Sequence, residues 1–140
     1  MLSKKQAKSF FLGGTIVFVL IFGYLSYDSL TKGIPENTNI EQMTDAAKRG
    51  RKIWDRKNCM GCHTLMGEGA YYAPELTRVY SRRGEDYIKM TLNFDGGWGT
   101  HGRRMIQYDF NETEKQDIVE FFKWCNEMHL NGFPAEPPLK

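Results

Sequence analysis

Apolar and polar positions divide the 140-residue chain into stretches of different character. From Ser9 to Tyr27, nineteen residues (SFFLGGTIVFVLIFGYLSY) carry no charge. As a helix this run rises roughly 28 Å, close to the hydrocarbon thickness of a bilayer. It is apolar on every side, unlike the one-sided stripe of a core helix. Residues 28–42 (DSLTKGIPENTNIEQ) are polar, hold Gly33 and Pro35, and read as a linker. A helix is predicted from Thr44 to Asn58. Ala47, Gly50 and Ile53/Trp54 return every three to four residues, while Lys48, Arg49, Arg51, Lys52, Arg56 and Lys57 occupy the other face. That basic face reads as solvated, with a docking patch for an acidic partner as the alternative.

Farther along, Pro74 is placed to open a short helix to Arg82. Gly84 interrupts it, and a second helix is predicted from Glu85 to about Asn93. Residues 95–104 (DGGWGTHGRR) hold too much glycine for regular structure, and without a preceding strand or a Lys-Ser/Thr ending they are no phosphate loop. The last helix is the clearest. Asn111 or Thr113 can cap it, with Glu114 or Gln116 three residues on. Ile118, Phe121/Phe122, Cys125 and Met128 form one stripe, Asn131-Gly132 end it, and an extended tail FPAEPPLK follows. There is no strand pattern and no internal repeat. The expected fold class is all-α, divided into a tail (1–8), a transmembrane helix (9–27), a linker (28–42) and a small helical domain (43–140).

Charge then sets orientation. The formal net charge is +2, but Lys4, Lys5 and Lys8 precede the apolar run, and residues 10–140 hold 16 basic against 17 acidic groups. Basicity belongs to the tail, which removes the main support for nucleic-acid binding. The exit of the apolar run, GYLSYDSL, has no small-residue cleavage pattern, so an uncleaved anchor is expected rather than a signal peptide. The three lysines place the N-terminus in the cytoplasm and the domain outside, in the periplasm if the membrane is the inner membrane of a Gram-negative bacterium, with Tyr24 and Tyr27 at the interface. Gly13, Gly14 and Thr15 allow close packing of another membrane helix, or are ordinary glycines of such segments.

Residues 59–63 read CMGCH. Cys-x-x-Cys followed at once by His is the attachment signature of c-type haem. Two thiols add to the vinyl groups on one porphyrin edge, and the next residue brings its imidazole under the ring as an iron ligand. The motif therefore makes Cys59 and Cys62 the thioether residues and His63 the proximal ligand of one covalent haem c. A thioredoxin-like pair lacks its βαβ setting, and His101, Cys125 and His129 lack zinc spacing. For the sixth ligand, Met60 lies inside the motif and Met66 is too close to His63 to cross the ring. Met43, Met90 and Met128 fall on predicted helices as packing residues. Met105, in irregular chain before the last helix, is the expected distal ligand, with His101 the alternative. Arg103 and Arg104 are candidate propionate contacts or solvated loop charges. Cys125 reads as a small buried hydrophobe.

Helix, CxxCH, short helices, methionine loop and aromatic last helix together resemble a class I cytochrome c, in which first and last helices cross with a small residue against an aromatic. Gly50 and Trp54 against Phe121, Phe122 or Trp124 suit that crossing. More narrowly, CMGCHTLMGEGAYYAPEL (59–76), the single anchor, GRRM (102–105) and IVEFFKW (118–124) are similar to the cytochrome c subunit of bacterial nitric oxide reductase.

The resemblance implies a relay of single electrons from a soluble periplasmic donor, a cytochrome c or a cupredoxin. The acceptor is a polytopic catalytic subunit whose b-type haems and non-haem iron convert nitric oxide to nitrous oxide in denitrification. It also implies that the loop after CxxCH packs on that subunit and helps hold a calcium ion, with the Gly69 carbonyl and Tyr71 at the matching positions. The chain itself would catalyse nothing. Where the family often has Met-Pro-Gln, with Phe-Asn shortly after, this sequence has MIQYDFN, without the proline and one residue longer. Electron delivery to a haem-copper oxidase, or gas sensing at an open sixth site, are the rival functions.

Overall fold

The computed structural model describes residues 3–95, 97, 99, 102–130, 132 and 133. It divides into two compact units, 1–36 and 37–140. In the first, helix α1 (Lys4–Asp28) starts at a capping box in which the Ser3 side chain accepts from Gln6 N–H and the Gln6 side chain accepts from Ser3 N–H. This satisfies two of the orphan donors of a helix start. None of its residues is buried; Phe10, Phe18 and Phe22 are all more than 70% exposed, as an apolar helix for a lipid environment requires. Helical structure does not stop at Asp28. A wider π-type turn (Ser29–Gly33) leads into helix α2 (Ile34–Thr38), so most of the stretch expected to be a linker is helical. Pro35, just past the π-type turn, has no N–H to bond back to the preceding turn.

The second unit is built on helices α3 (Asp45–Arg56), α4 (Val79–Leu92) and α5 (Glu112–Glu127). Thr44 caps α3 by accepting from Ala47 N–H. Asn111 caps α5 with a reciprocal Glu114 box. The crossing of α3 and α5 is set at Gly50. A Cβ there would overlap the Asp117 carbonyl oxygen and lie 2.8 Å from Phe121 Cβ. Beside it, Ala47, Ile53 and Trp54 of α3 are buried with Ile118, Val119, Phe121, Phe122, Trp124 and Cys125 of α5. Val79 and Ile88 of α4, with Leu65, Phe110 and Met128, join this core.

Arg49 locks the same crossing. Its Nε and Nη2 reach the two carboxylate oxygens of buried Asp117 at 2.8 and 2.7 Å, a bidentate pair. Gly50→Ala is expected to cost about 1–3 kcal/mol, the usual range for overpacking. Denaturant unfolding of the haem-containing chain measures this, and an unchanged midpoint would count against so close a contact.

Several expected elements differ. The first short helix begins at Val79, not Pro74, because the backbone of 73–76 is engaged elsewhere: Ala73 N–H donates to Cys62 O at 2.8 Å and Leu76 N–H to Thr64 O at 3.0 Å. The expected break at Gly84 is present: its backbone is non-helical (φ +79°) and divides α4 into two helical pieces. A small antiparallel pair, β1 (Thr64–Leu65) and β2 (Glu68–Gly69), is present although no strand pattern is visible in the sequence. Helix α5 ends at Glu127, ahead of the expected Asn131-Gly132 stop. Arg78 donates to the carbonyls of Asn126 and Met128, satisfying acceptors that a helix end leaves open. Asn131 and residues 134–140 lie outside the described residues.

The basic face of α3 is largely neutralised within the chain. Lys48 meets Asp45, Arg49 meets Asp117, Arg51 meets Asp55 and Arg56 meets Glu114. Lys57 lies 5.9 and 5.7 Å from the ring centroids of Tyr108 and Phe110. Met90, expected to pack in the core, is 46% exposed.

Candidate haem-binding site

The attachment motif is shaped by the end of α3. Asn58 takes the left-handed conformation (φ +52°), which asparagine tolerates better than other side-chain-bearing residues. The chain then enters a 3-10 turn, Cys59–Gly61, closed by Cys62 N–H to Cys59 O at 3.2 Å and His63 N–H to Cys59 O at 2.9 Å. In a 3-10 turn, residues three apart eclipse one another. Cys62 follows as the cap residue of this turn, three residues after Cys59; of the two, Cys59 lines the cavity shared by His63 and Met105. No disulfide joins Cys59, Cys62 and Cys125. Burial pushes the Cys59 thiol up to about 11 and the Cys125 thiol up to about 12. Cys125, fully buried on α5, is therefore an inert packing residue.

The loop after the motif folds back along it. Met66 and Gly67, both with positive φ, turn the β1–β2 hairpin. Ala70 N–H then donates to Met60 O at 3.0 Å. Thr77 is fully buried and joins the strands of this loop: its hydroxyl accepts from Met66 N–H at 2.6 Å and donates to Glu75. The outcome is a fixed position for the Pro74 carbonyl, 2.8 Å from His63 Nδ1. A carbonyl can only accept, so Nδ1 carries the proton and Nε2 is left with its lone pair for a metal. Burial also holds the His63 pKa below its ordinary value, against the opposing pull of the Pro74 bond, and keeps the ring neutral as ligation requires.

His63 and Met105 line one cavity. The enclosed volume is about 80 Å³. Cys59 and His63 come from the motif turn, Trp54 from α3, Leu76 and Val79 from the loop and start of α4, and Tyr87, Ile88, Thr91 and Leu92 from α4. Met105, Tyr108 and Phe110 come from the segment before α5, and Ile118 and Phe122 from α5 itself. The wall is almost wholly apolar. The Nε1 of Trp54 is buried without a hydrogen-bond partner among the described residues. Two thiols three residues apart, a neutral imidazole with its Nε2 free, a thioether lining the same cavity and an apolar enclosure make a donor set that fits a covalent haem.

The other candidates lie outside this wall. Arg103 donates from Nη1 to Tyr72 O at 3.2 Å, with its guanidinium carbon 5.5 Å from the Tyr72 ring centroid. Arg104 is exposed. Gly69 is exposed at the end of β2, and Tyr71 is 83% exposed. His101 falls outside the described residues. Pro74, the partner of His63, and Tyr108, a wall residue, are not among the residues expected at the site from the sequence. The one extra residue before Phe110 was the available signal that this stretch differs.

Residues 47–125 match the cytochrome c family model. Over nearly its whole length the chain is also similar to proteins named as the C subunit of nitric oxide reductase. The one from Stutzerimonas stutzeri is 40% identical, covering 94% of this chain and 93% of the relative. That of Paracoccus denitrificans is 34% identical, covering 96% and 95%, and that of Halomonas halodenitrificans 33%, covering 97% and 96%. With motif, cavity and full-length likeness in agreement, the chain belongs to the cytochrome c family and, within it, to the cytochrome c subunits of nitric oxide reductase.

Proposed function

We propose that this chain is the membrane-anchored electron-transfer subunit of a nitric oxide reductase. It would take single electrons from a soluble periplasmic donor, a cytochrome c or a cupredoxin, and pass them to a polytopic catalytic subunit with b-type haems and non-haem iron. The observation that carries the reading is the shared apolar cavity, lined by a neutral imidazole (His63) and a thioether (Met105). When bound, haem c supplies a one-electron couple, whose potential a methionine ligand raises relative to a second histidine.

The chain's own residues do the rest. Cys59 and Cys62 fix the group covalently, and Pro74 holds the His63 tautomer. The apolar side chains of α4 and α5 exclude water, which favours the less charged, reduced state. Single-helix anchoring follows from the apolar length of α1, and Lys4, Lys5 and Lys8 orient it with the N-terminus in the cytoplasm and the haem domain in the periplasm.

The exposed Tyr71, with the Gly69 carbonyl, is the proposed contact with the catalytic subunit. These two would supply two of the roughly six to eight oxygen ligands of a shared calcium ion, the partner supplying the others. One of Arg103 and Arg104 is the proposed propionate contact, and Arg104, which is exposed, is the freer of the two.

Gentle detergent purification of the tagged full chain, followed by the haem b to haem c ratio, tests the assignment. Haem b in excess, with nitric oxide turnover by the co-purified complex, is the expected result. Haem c alone with the anchor intact would leave a free-standing membrane cytochrome and remove the reductase reading.

A further inference from the structure

The segment carrying Met105 lacks a stiffening proline, yet it is held from two sides. The glycine-rich loop before it lies against its backbone. At Gly97 (φ +79°) a Cβ would overlap the Met105 carbonyl oxygen and lie 3.3 Å from its carbonyl carbon. At Gly99 a Cβ would overlap the Arg103 carbonyl oxygen and lie 3.0 Å from Arg104 Cα. These neighbours are backbone atoms, which cannot swing aside as a flexible side-chain end can. The same loop sends Asp95 Oδ1 to accept from Gln107 Nε2 at 2.9 Å, two residues beyond Met105. From the other side, Arg103 ties the segment to the Tyr72 carbonyl at 3.2 Å.

We propose that Gly97, Gly99 and Asp95 are positioning residues for Met105: the close backbone approach at the glycines and the Asp95–Gln107 hydrogen bond hold the thioether at the cavity wall, in place of a proline. The proposal rests on the reading of Met105 as the distal iron ligand. A thioether is a weak ligand on a flexible side chain, so its hold on iron depends on how much of the loop is already ordered before the sulfur binds. Side-chain-bearing residues at 97 or 99 would push the 103–107 backbone away and move the sulfur with it.

The test uses the full haem-containing chain in detergent. Three signals are read: the methionine-sulfur-to-ferric-iron charge-transfer absorbance, carbon monoxide binding by the ferrous haem, and the reduction potential. Gly99→Ala, which has the backbone overlap without a positive φ, is expected to lose most of the charge-transfer band, to bind carbon monoxide and to shift to lower potential. Gly97→Ala should behave alike. Gly102→Ala has no atom within 4 Å of its Cβ and adds only the strain of its positive φ (+78°), so it should keep more of the band than Gly97→Ala, which combines a like φ with the backbone overlap. Asp95→Ala should lose part of the band and Asp95→Asn, which retains the accepting oxygen, should recover it.

If Gly99→Ala takes up no haem, the Asp95 pair decides alone. Unchanged band and potential in both Gly99→Ala and Asp95→Ala overturn the proposal. Met105→Ala separates the two levels. A band that survives in Met105→Ala defeats the ligand reading and this proposal with it. A band lost in Met105→Ala but intact in the glycine and Asp95 variants defeats the positioning role alone.

Discussion

A chain with His63→Ala is expected to show no stable covalent haem, whereas Met105→Ala keeps the haem attached and loses only the sixth ligand. The two axial residues line the same cavity but differ in how the fold supports them. His63 follows directly on the Cys59–Gly61 turn, so any group joined to Cys59 and Cys62 meets its imidazole without further rearrangement. The Pro74 carbonyl holds that ring at 2.8 Å through Nδ1. Without the imidazole, nothing local orients the iron against the thiols while the thioether bonds form. Met105 lies 42 residues farther along and is not part of the attachment turn. Denaturing gel haem stain measures attachment, and optical spectra measure ligation. Full haem content with a methionine-ligated spectrum in His63→Ala would sink the assignment. Pro74→Ala serves as the control. It keeps the accepting carbonyl and should keep the haem, because the bond to Nδ1 uses backbone and not the proline ring.

Which parts of this arrangement are visible in the sequence follows from how local each one is. Covalent haem attachment needs three residues at fixed spacing on one turn, so CMGCH carries it in five letters. Helix α5 is legible for a similar reason: its apolar stripe and its Asn111–Glu114 cap are both short-range patterns. The start at Pro74 misleads because a proline suits a first helical turn equally well as it suits an extended segment. Only the long-range bonds of 73–76 to Cys62 and Thr64 choose between them. The β1–β2 hairpin has two residues per strand, too few to display a period of two. The extension of α1 through Thr38 runs against a polar composition with glycine and proline, which marks a loop by propensity alone.

The wall of the cavity was legible only in part. His63 and Met105 can be named by chemistry. That Tyr87, Thr91 and Tyr108 face them depends on how α4 and the methionine segment pack, and no local pattern states it. The same holds for Gly97 and Gly99. In sequence they belong to a run too glycine-rich for regular structure; in the fold they are the places where two backbone segments touch.

Trp54 is where the fold and the site depend on one side chain. Its ring lies 5.7 Å from Phe122 in an edge-on arrangement, 6.3 Å from Phe121 and 6.3 Å from His63. It is 4% exposed and lines the cavity. Removing a buried Phe or Trp down to alanine costs about 3–5 kcal/mol, partly in lost transfer energy and partly in the void left behind. Against a typical domain stability of about 5–15 kcal/mol, Trp54→Ala is expected to leave the α3–α5 crossing marginal, and haem yield should fall with it.

Trp54→Phe separates packing from polarity. It retains most of the ring volume and deletes the Nε1–H, which has no partner among the described residues. An unpartnered buried donor is itself unfavourable by about 1–3 kcal/mol, so its removal offsets the smaller packing loss. Trp54→Phe should therefore lie within about 1 kcal/mol of the parent in denaturant unfolding. A loss as large as that of Trp54→Ala would mean that in the haem-loaded protein the indole N–H donates to a polar group of the bound cofactor. Trp54 would then be a cofactor contact as well as the packing residue of the helix crossing.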